Sequence, residues 1–197
     1  TDRDKDGMPD EWERRYGLQS SENDAEGDRD NDFLKNIDEF KTGGHPGNAD
    51  TDNGGTLDGS EYKHGMDVAD FSDDRIGPPP ALMTNQQPTD AVDPDYQAPP
   101  SNANLLYWSR GSNYKTLDIY RAASPGGPFS LIESDWPAEK RPYEDAGLIN
   151  NQKYYYKVAA KTAEGIMSRL SKYAVGIPKK DNLAPFGAIH IAGPKHT

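Results

Sequence analysis

Near the start of the chain, carboxylates recur at short fixed intervals. Asp2, Asp4, Asp6, Asp10 and Glu13, with Gly7 among them, spell D-x-D-x-D-G-x-x-D-x-x-E. Alternating aspartates put carboxylates at loop positions 1, 3 and 5, on one side of a tightly wound chain. Gly7 at position 6 permits the sharp turn, and the carbonyl of Met8 faces inward at position 7. Asp10 at position 9 contributes directly or through water, and Glu13 at position 12 closes the site with both oxygens. A donor set made only of oxygens suits a hard cation that takes about six to eight of them, which is calcium. Without a cation, three aspartates so close together repel one another and the segment has no reason to stay compact.

The pattern comes back twice. Asp28, Asp30, Asp32, Asn36 and Glu39 hold the same positions, with Leu34 at the carbonyl position and Phe33 where glycine is expected. Asp50, Asp52, Asp58 and Glu61 hold them a third time, with Thr56 at the carbonyl position. There Gly54 replaces the fifth-position carboxylate and Gly55 stands at the turn. The starts at Asp2, Asp28 and Asp50 make a short tandem repeat. The second repeat has two readable registers, because Asp24, Glu26 and Asp28 also suit a start. The Glu39–Gly43 pairing favours the later one and leaves Asp24 as a further donor to a neighbouring ion. Asp67, Asp70, Asp73 and Asp74 follow the third repeat as secondary candidates to complete or add a site.

Each closing glutamate is followed four residues later by glycine, at Gly17, Gly43 and Gly65. This spacing predicts that every loop runs into one short helical turn ended by a glycine C-cap. Trp12 and Tyr16, Ile37 and Phe40, and Leu57 and Tyr62 supply the small apolar faces of those turns. Position 8 carries Pro9, Lys35 and Leu57, not a consistent β-branched residue, and no long helices flank the loops on both sides. The segment is therefore EF-hand-like in its loops but is not a helix-pair sensor. Through DRDKDGMPDEWERRYGL, DRDNDFLKNIDEFKTG and DTDNGGTLDGSEYKHG it resembles the thrombospondin type 3 repeats and their bacterial relatives. The resemblance implies about three calcium ions and calcium-dependent rigidity in an extracellular linker or stalk. It departs from the vertebrate form in lacking cysteine, which leaves calcium as the only staple.

The composition fits this division of labour. Of 197 residues only 33% are hydrophobic, and 33 acidic side chains against 22 basic ones give a net charge of −11. Residues 1–75 hold 22 acidic and 9 basic side chains, so the whole surplus lies there. Such a balance argues against nucleic acid, whose phosphates demand Lys and Arg, and against anionic membranes. No stretch approaches the roughly 20 apolar residues of a membrane span, so membrane insertion is not expected. The first residue is Thr1, and the chain reads as a mature piece or an excised fragment of something longer.

Seven of the 16 prolines lie between Gly77 and Pro100, which reads as a semi-extended connector. Beyond it the pattern turns to period two. Leu106 and Trp108 alternate with Leu105 and Tyr107, Leu117 and Ile119 with Asp118 and Tyr120, and Tyr154, Tyr156 and Val158 with Tyr155 and Lys157. Tyr173, Val175 and Ile177 form a last run, stopped by Pro178. Turn signals at Arg110-Gly111-Ser112-Asn113, at Ser124 to Pro128 and at Asn150-Asn151 separate the runs, and together these argue for an all-β sandwich.

Over roughly 97–179 the segment resembles a fibronectin type III domain. Trp108 in NLLYWS stands at the core tryptophan position, and Leu148 with Tyr154, Tyr156 and Val158 matches the tyrosine-corner pattern. That pattern implies that the Tyr154 hydroxyl is tied to nearby backbone. The first strand is poorly marked and falls in or before the proline stretch. The tail DNLAPFGAIHIAGPKHT, 181–197, resembles the opening of a bacterial immunoglobulin-like domain.

The expected fold class is therefore mostly β with irregular calcium loops. A thrombospondin type 3-like calcium module spans 1–76, a connector 77–98, a fibronectin type III-like sandwich 99–179, and a linker with one further strand 180–197. No catalysis is expected. Cysteine is absent, His45, His64, His190 and His196 are scattered, and no nucleophile or phosphate-binding motif occurs. The expected role is a calcium-stiffened spacer, extracellular or on the cell surface, in a modular prokaryotic protein whose partners are neighbouring domains or subunits. One alternative is a carbohydrate-binding accessory module that stacks glycans on Tyr107, Tyr120, Tyr155 and Trp136, taken as exposed. Another is a self-assembling filament or layer subunit that docks the 181–197 strand on a neighbour.

Overall fold

A computed structural model describes residues 1–84, 100–109 and 113–180. Most of the proline connector, the turn at Arg110-Gly111-Ser112 and the 181–197 tail, with His190 and His196, lie outside the described residues.

Three short helices follow the three loops: α1 (Asp10–Tyr16), α2 (Asn36–Thr42) and α3 (Asp58–His64). Each ends at its glycine, Gly17, Gly43 or Gly65, in the left-handed region with φ of 72°, 85° and 70°. The glycine N–H closes back onto the carbonyl of the loop-closing glutamate in every case. Acidic residues occupy the first turns and basic ones the last, as the helix dipole favours. Helices of two turns do not persist alone in water, so the loops and their packing must hold them. The apolar faces meet modestly: Trp12 packs against Tyr16 at 4.9 Å and edge-on to Phe40 at 5.2 Å.

Among the described residues the second half is a sandwich of seven strands in two antiparallel sheets. One sheet orders β1 (Leu82–Thr84), β2 (Asn104–Trp108) and β5 (Tyr143–Asp145). The other orders β4 (Ser130–Pro137), β3 (Thr116–Ala122), β6 (Tyr154–Lys161) and β7 (Ala174–Gly176). This is the strand order of a fibronectin type III-like fold. Leu106 and Trp108 from the first sheet interdigitate with Leu117, Ile119, Tyr156, Val158 and Ala160 from the second. The Trp108 indole N–H donates to the Ala138 carbonyl at 2.8 Å, and the Tyr154 hydroxyl accepts the Ile149 N–H at 3.0 Å.

The first strand, which the sequence marks poorly, is the three-residue β1 inside the proline-rich stretch, pairing Leu82 with Trp108 and Thr84 with Leu106. One expectation is corrected. Tyr107 is fully buried: all five residues of β2 are covered, so both faces of this strand are out of solvent. Alternation predicts one wet face only where a sheet keeps one face in solvent. In the last run, Tyr173, Val175 and Ile177 are exposed at 48%, 39% and 37%, so this apolar set lies outward.

The two halves share a core. Met66 and Ile76, from the acidic half, belong to the same buried cluster as Trp108 and Val158. Backbone hydrogen bonds cross the seam as well: Leu57 N–H to Met167 carbonyl at 3.0 Å, and Arg169 N–H to Gly55 carbonyl at 2.9 Å. Thr56 and Ser168 form a β-bridge between them.

Candidate metal centre

The three loops follow one backbone path. Position 4 lies in the left-handed region each time, at Lys5, Asn31 and Asn53 with φ of 63°, and so does position 6, at Gly7, Phe33 and Gly55. Side-chain oxygens wind the first two loops identically. Asp2 accepts the N–H groups of Lys5 and Gly7 at 2.7 and 3.2 Å, and Asp28 accepts those of Asn31 and Phe33 at 2.8 and 2.9 Å. Asp6 accepts the Met8 N–H at 2.9 Å, and Asp32 the Leu34 N–H at 2.7 Å. The second loop thus winds from Asp28, in the later of its two registers.

Position 9 has a different task. Asp10 accepts the Arg3 N–H at 2.7 Å and the Thr1 hydroxyl at 3.1 Å, while Asp58 accepts the Thr51 N–H at 2.7 Å and the Thr51 hydroxyl at 2.5 Å. Both pin the loop entrance to the first turn of the helix. Asn36 instead donates to the Asp24 carbonyl at 2.8 Å and keeps its own side-chain oxygen buried and unpartnered.

Among the described residues four groups of carboxylates bring oxygens within 4.8 Å of one another: Asp2, Asp4 and Asp6; Asp6, Glu13 and Asp24; Asp28, Asp30 and Asp32; and Asp52, Glu61 and Asp74. Asp24, 22 residues beyond the start of the first loop, therefore belongs to that loop's centre through Glu13. The closing glutamates Glu13, Glu39 and Glu61 are each 0% exposed, and neither oxygen of any of them has a hydrogen-bond partner. The same holds for both oxygens of Asp4 and Asp30. Every buried side-chain oxygen without a partner among the described residues lies between Asp4 and Asp74. Asp50 is also buried, and Arg169 approaches one of its oxygens at 3.3 Å.

Burying a carboxylate without a compensating group costs several kcal/mol. The electrostatics record this cost. Burial, reinforced by the charges of Asp4, Asp6 and Asp24, raises Glu13 to about 7. Burial and the neighbouring aspartates raise Asp32 to about 8 and Glu39 to about 9. Burial and Asp74 raise Glu61 to about 10. Acids held this far above their ordinary range either carry protons or face a cation. The buried unpartnered oxygens are carboxylates and one amide oxygen, that of Asn36. Neither thiolate nor imidazole takes part, which is the chemistry of a hard divalent ion.

Asp74, a secondary candidate by its place after the third repeat, completes the third cluster. The signal for it was Gly54, a missing fifth-position carboxylate followed by an acidic run. Phe33, in contrast, sits at φ 77° and is 69% exposed, so its ring offsets none of the left-handed strain. Phe33→Gly is expected to stabilise the second loop by about 1 kcal/mol, the strain relieved less glycine's greater chain entropy. A calcium-loaded melting midpoint that stays put or falls would contradict this.

No protein-family model matches the chain, and no curated protein matches it. Among solved structures, a Fn3-like protein from Clostridium thermocellum is 22% identical with a TM-score of 0.36, over 52% of this chain and 91% of that one. A pectate lyase from Pectobacterium carotovorum is 21% identical with a TM-score of 0.36, over 49% of this chain and 26% of that one. A β-1,2-glucanase from Parabacteroides distasonis is 20% identical with a TM-score of 0.36, over 41% and 11%. Similarity at this level assigns the chain no activity.

Proposed function

We propose that residues 1–76 bind about three calcium ions and that the chain is a non-catalytic, calcium-stiffened spacer in an extracellular or cell-surface modular protein. The observation that carries this reading is the set of buried, unpartnered oxygens of Glu13, Glu39 and Glu61: Glu13 lies with Asp6 and Asp24, Glu61 with Asp52 and Asp74, and the charges of Asp30 and Asp32 act on Glu39. Calcium neutralises the clustered charge, orders the loops and thereby holds the three short helices. Millimolar extracellular calcium suits weak sites of this kind. The proposed partners are neighbouring domains or subunits. Among the described residues no helix is long and apolar enough to cross a membrane.

The glycan-stacking alternative gains no support from its aromatic residues. Tyr107 is buried, Trp136 packs edge-on to Tyr143 at 5.0 Å, and the Lys140 ammonium lies over the Trp136 ring at 4.3 Å. Tyr155 packs edge-on to Tyr173 at 5.4 Å. The filament alternative rests on residues outside those described.

Calorimetric titration of chelator-treated protein tests the calcium reading. About three sites should fill by millimolar calcium, with magnesium binding more weakly. Absence of binding at millimolar calcium ends the reading.

A further inference from the structure

Asp74 reaches the third loop from outside it. Its oxygens lie within 4.8 Å of those of Asp52 and Glu61. One of them accepts the Thr56 N–H at 3.4 Å, the bond that Asp6 makes to Met8 and Asp32 to Leu34 in the first two loops. A Cβ built on Gly54 would stand 1.8 Å from an Asp74 oxygen, so the Asp74 carboxylate fills the space that a fifth-position side chain would occupy. Its other oxygen is buried without a partner, as are both oxygens of the fully buried Glu61. Asp74 therefore replaces the missing loop carboxylate by position and by bonding.

The segment that carries Asp74 is also fastened to the sandwich. Two residues on, Ile76 enters the sandwich core at 1% exposure, and its carbonyl accepts the Thr56 hydroxyl at 3.3 Å. Gly77 and Pro78 press on Gly55 so closely that a Cβ there would meet their backbone at 2.8 Å. The 167–169 segment also bonds to Gly55 and Leu57, and Arg169 pairs with Asp50. The third loop thus contacts both the 76–78 stretch, whose Ile76 enters the sandwich core, and 167–169 of the sandwich half.

We propose that the third centre is a cation-dependent latch between the two halves: a divalent ion there, held jointly by the loop residues Asp52 and Glu61 and by Asp74, fastens the acidic half to the sandwich. This rests on the calcium reading above and adds that one of the three ions has a separate, interdomain task. All three centres draw their carboxylates from residues 1–76, but the third includes Asp74, two residues from the core residue Ile76, and the first two have no such neighbour in the shared core.

The test compares the full chain with Asp74→Asn, with Asp4→Asn as a first-loop control, and with the double variant Gly54→Asp/Asp74→Ala, which vacates the space beside Gly54 and returns the carboxylate to the loop itself. Calorimetry counts ions, and hydrogen exchange follows the seam amides of Leu57 and Arg169. In the native chain calcium should slow exchange at both amides at least tenfold. Asp74→Asn should bind one ion fewer and lose that response. Asp4→Asn should also weaken binding but keep the response. The double variant should recover the ion count without the seam protection. If the native chain binds about three ions while the seam amides ignore calcium, the latch is overturned and calcium binding stands. It is equally overturned if Asp74→Asn keeps both the ion count and the seam response. If the native chain binds no calcium, both readings fall together.

Discussion

Chelation at pH 8 is expected to melt the loops and the helices α1, α2 and α3, and lowering the pH toward 5 in the same chelator is expected to restore part of that order. The reason lies in the sign of the carboxylate shifts. In the cation-free fold, Glu13, Asp32, Glu39 and Glu61 are raised to about 7, 8, 9 and 10, against an ordinary unfolded value near 4. Their contribution to stability is fully present below about pH 4, where both states are protonated alike. It drains away as pH rises through the folded values, because the fold must then hold unshared negative charges. Bound calcium reverses the sign, since ligand carboxylates are held ionised and lose their cation as acid protonates them. Stability measured by helix signal should therefore fall with rising pH in chelator and rise with pH in calcium, so that the two curves cross. Calcium binding near pH 7.5 should also release protons, visible as a binding heat that depends on the ionisation heat of the buffer. Curves that run in parallel, with no proton release, would show that the buried carboxylates do not meet the ion.

Trp108→Ala is expected to remove about 3–5 kcal/mol from the sandwich, the range for deleting a large buried aromatic. Trp108 is 1% exposed and lies where the two sheets meet, against a cluster that draws on β2, β3 and β6. Its loss opens a cavity among branched side chains whose strands are hydrogen-bonded on both edges and cannot close in. It also strands the Ala138 carbonyl, which now accepts the indole N–H at 2.8 Å. A domain of this size has about 5–15 kcal/mol in all, so the variant should unfold at much lower urea in calcium-containing buffer. Because Met66 and Ile76 pack into the same cluster, the acidic half should lose protection along with it. A shift below about 1 kcal/mol, or an effect confined to the sandwich, would mean that the shared core is not one cooperative unit.

The local parts of this protein could be read from its residues. Ligand spacing, the glycine four residues after each closing glutamate and the αL-tolerant Asn31 and Asn53 all act within one loop, and the structure winds every loop the same way. The strands around Leu117 and Tyr156 were equally legible, because alternation needs only neighbours in sequence. The short β1 was harder, since three residues between prolines carry too little pattern to announce a strand, and β2 supplies the partner that makes it one. Tyr107 was misread for a related reason. Its neighbours suggest an outward side chain, but burial depends on what covers the second face.

The residue types and spacings therefore decided that the first half would consist of tightly wound acidic loops with capped helical turns and the second of alternating strands, because those features are set by short-range sterics. They did not decide how the halves meet. That Asp74 fills the space left at Gly54, that Met66 and Ile76 complete a core begun by Trp108, and that 167–169 pairs with the third loop are contacts between residues about 20 to 110 positions apart. Their partners are chosen by which buried surfaces and unpaired backbone groups face each other after the chain has folded, and beyond the missing carboxylate at Gly54 a pattern along the chain holds no record of that choice.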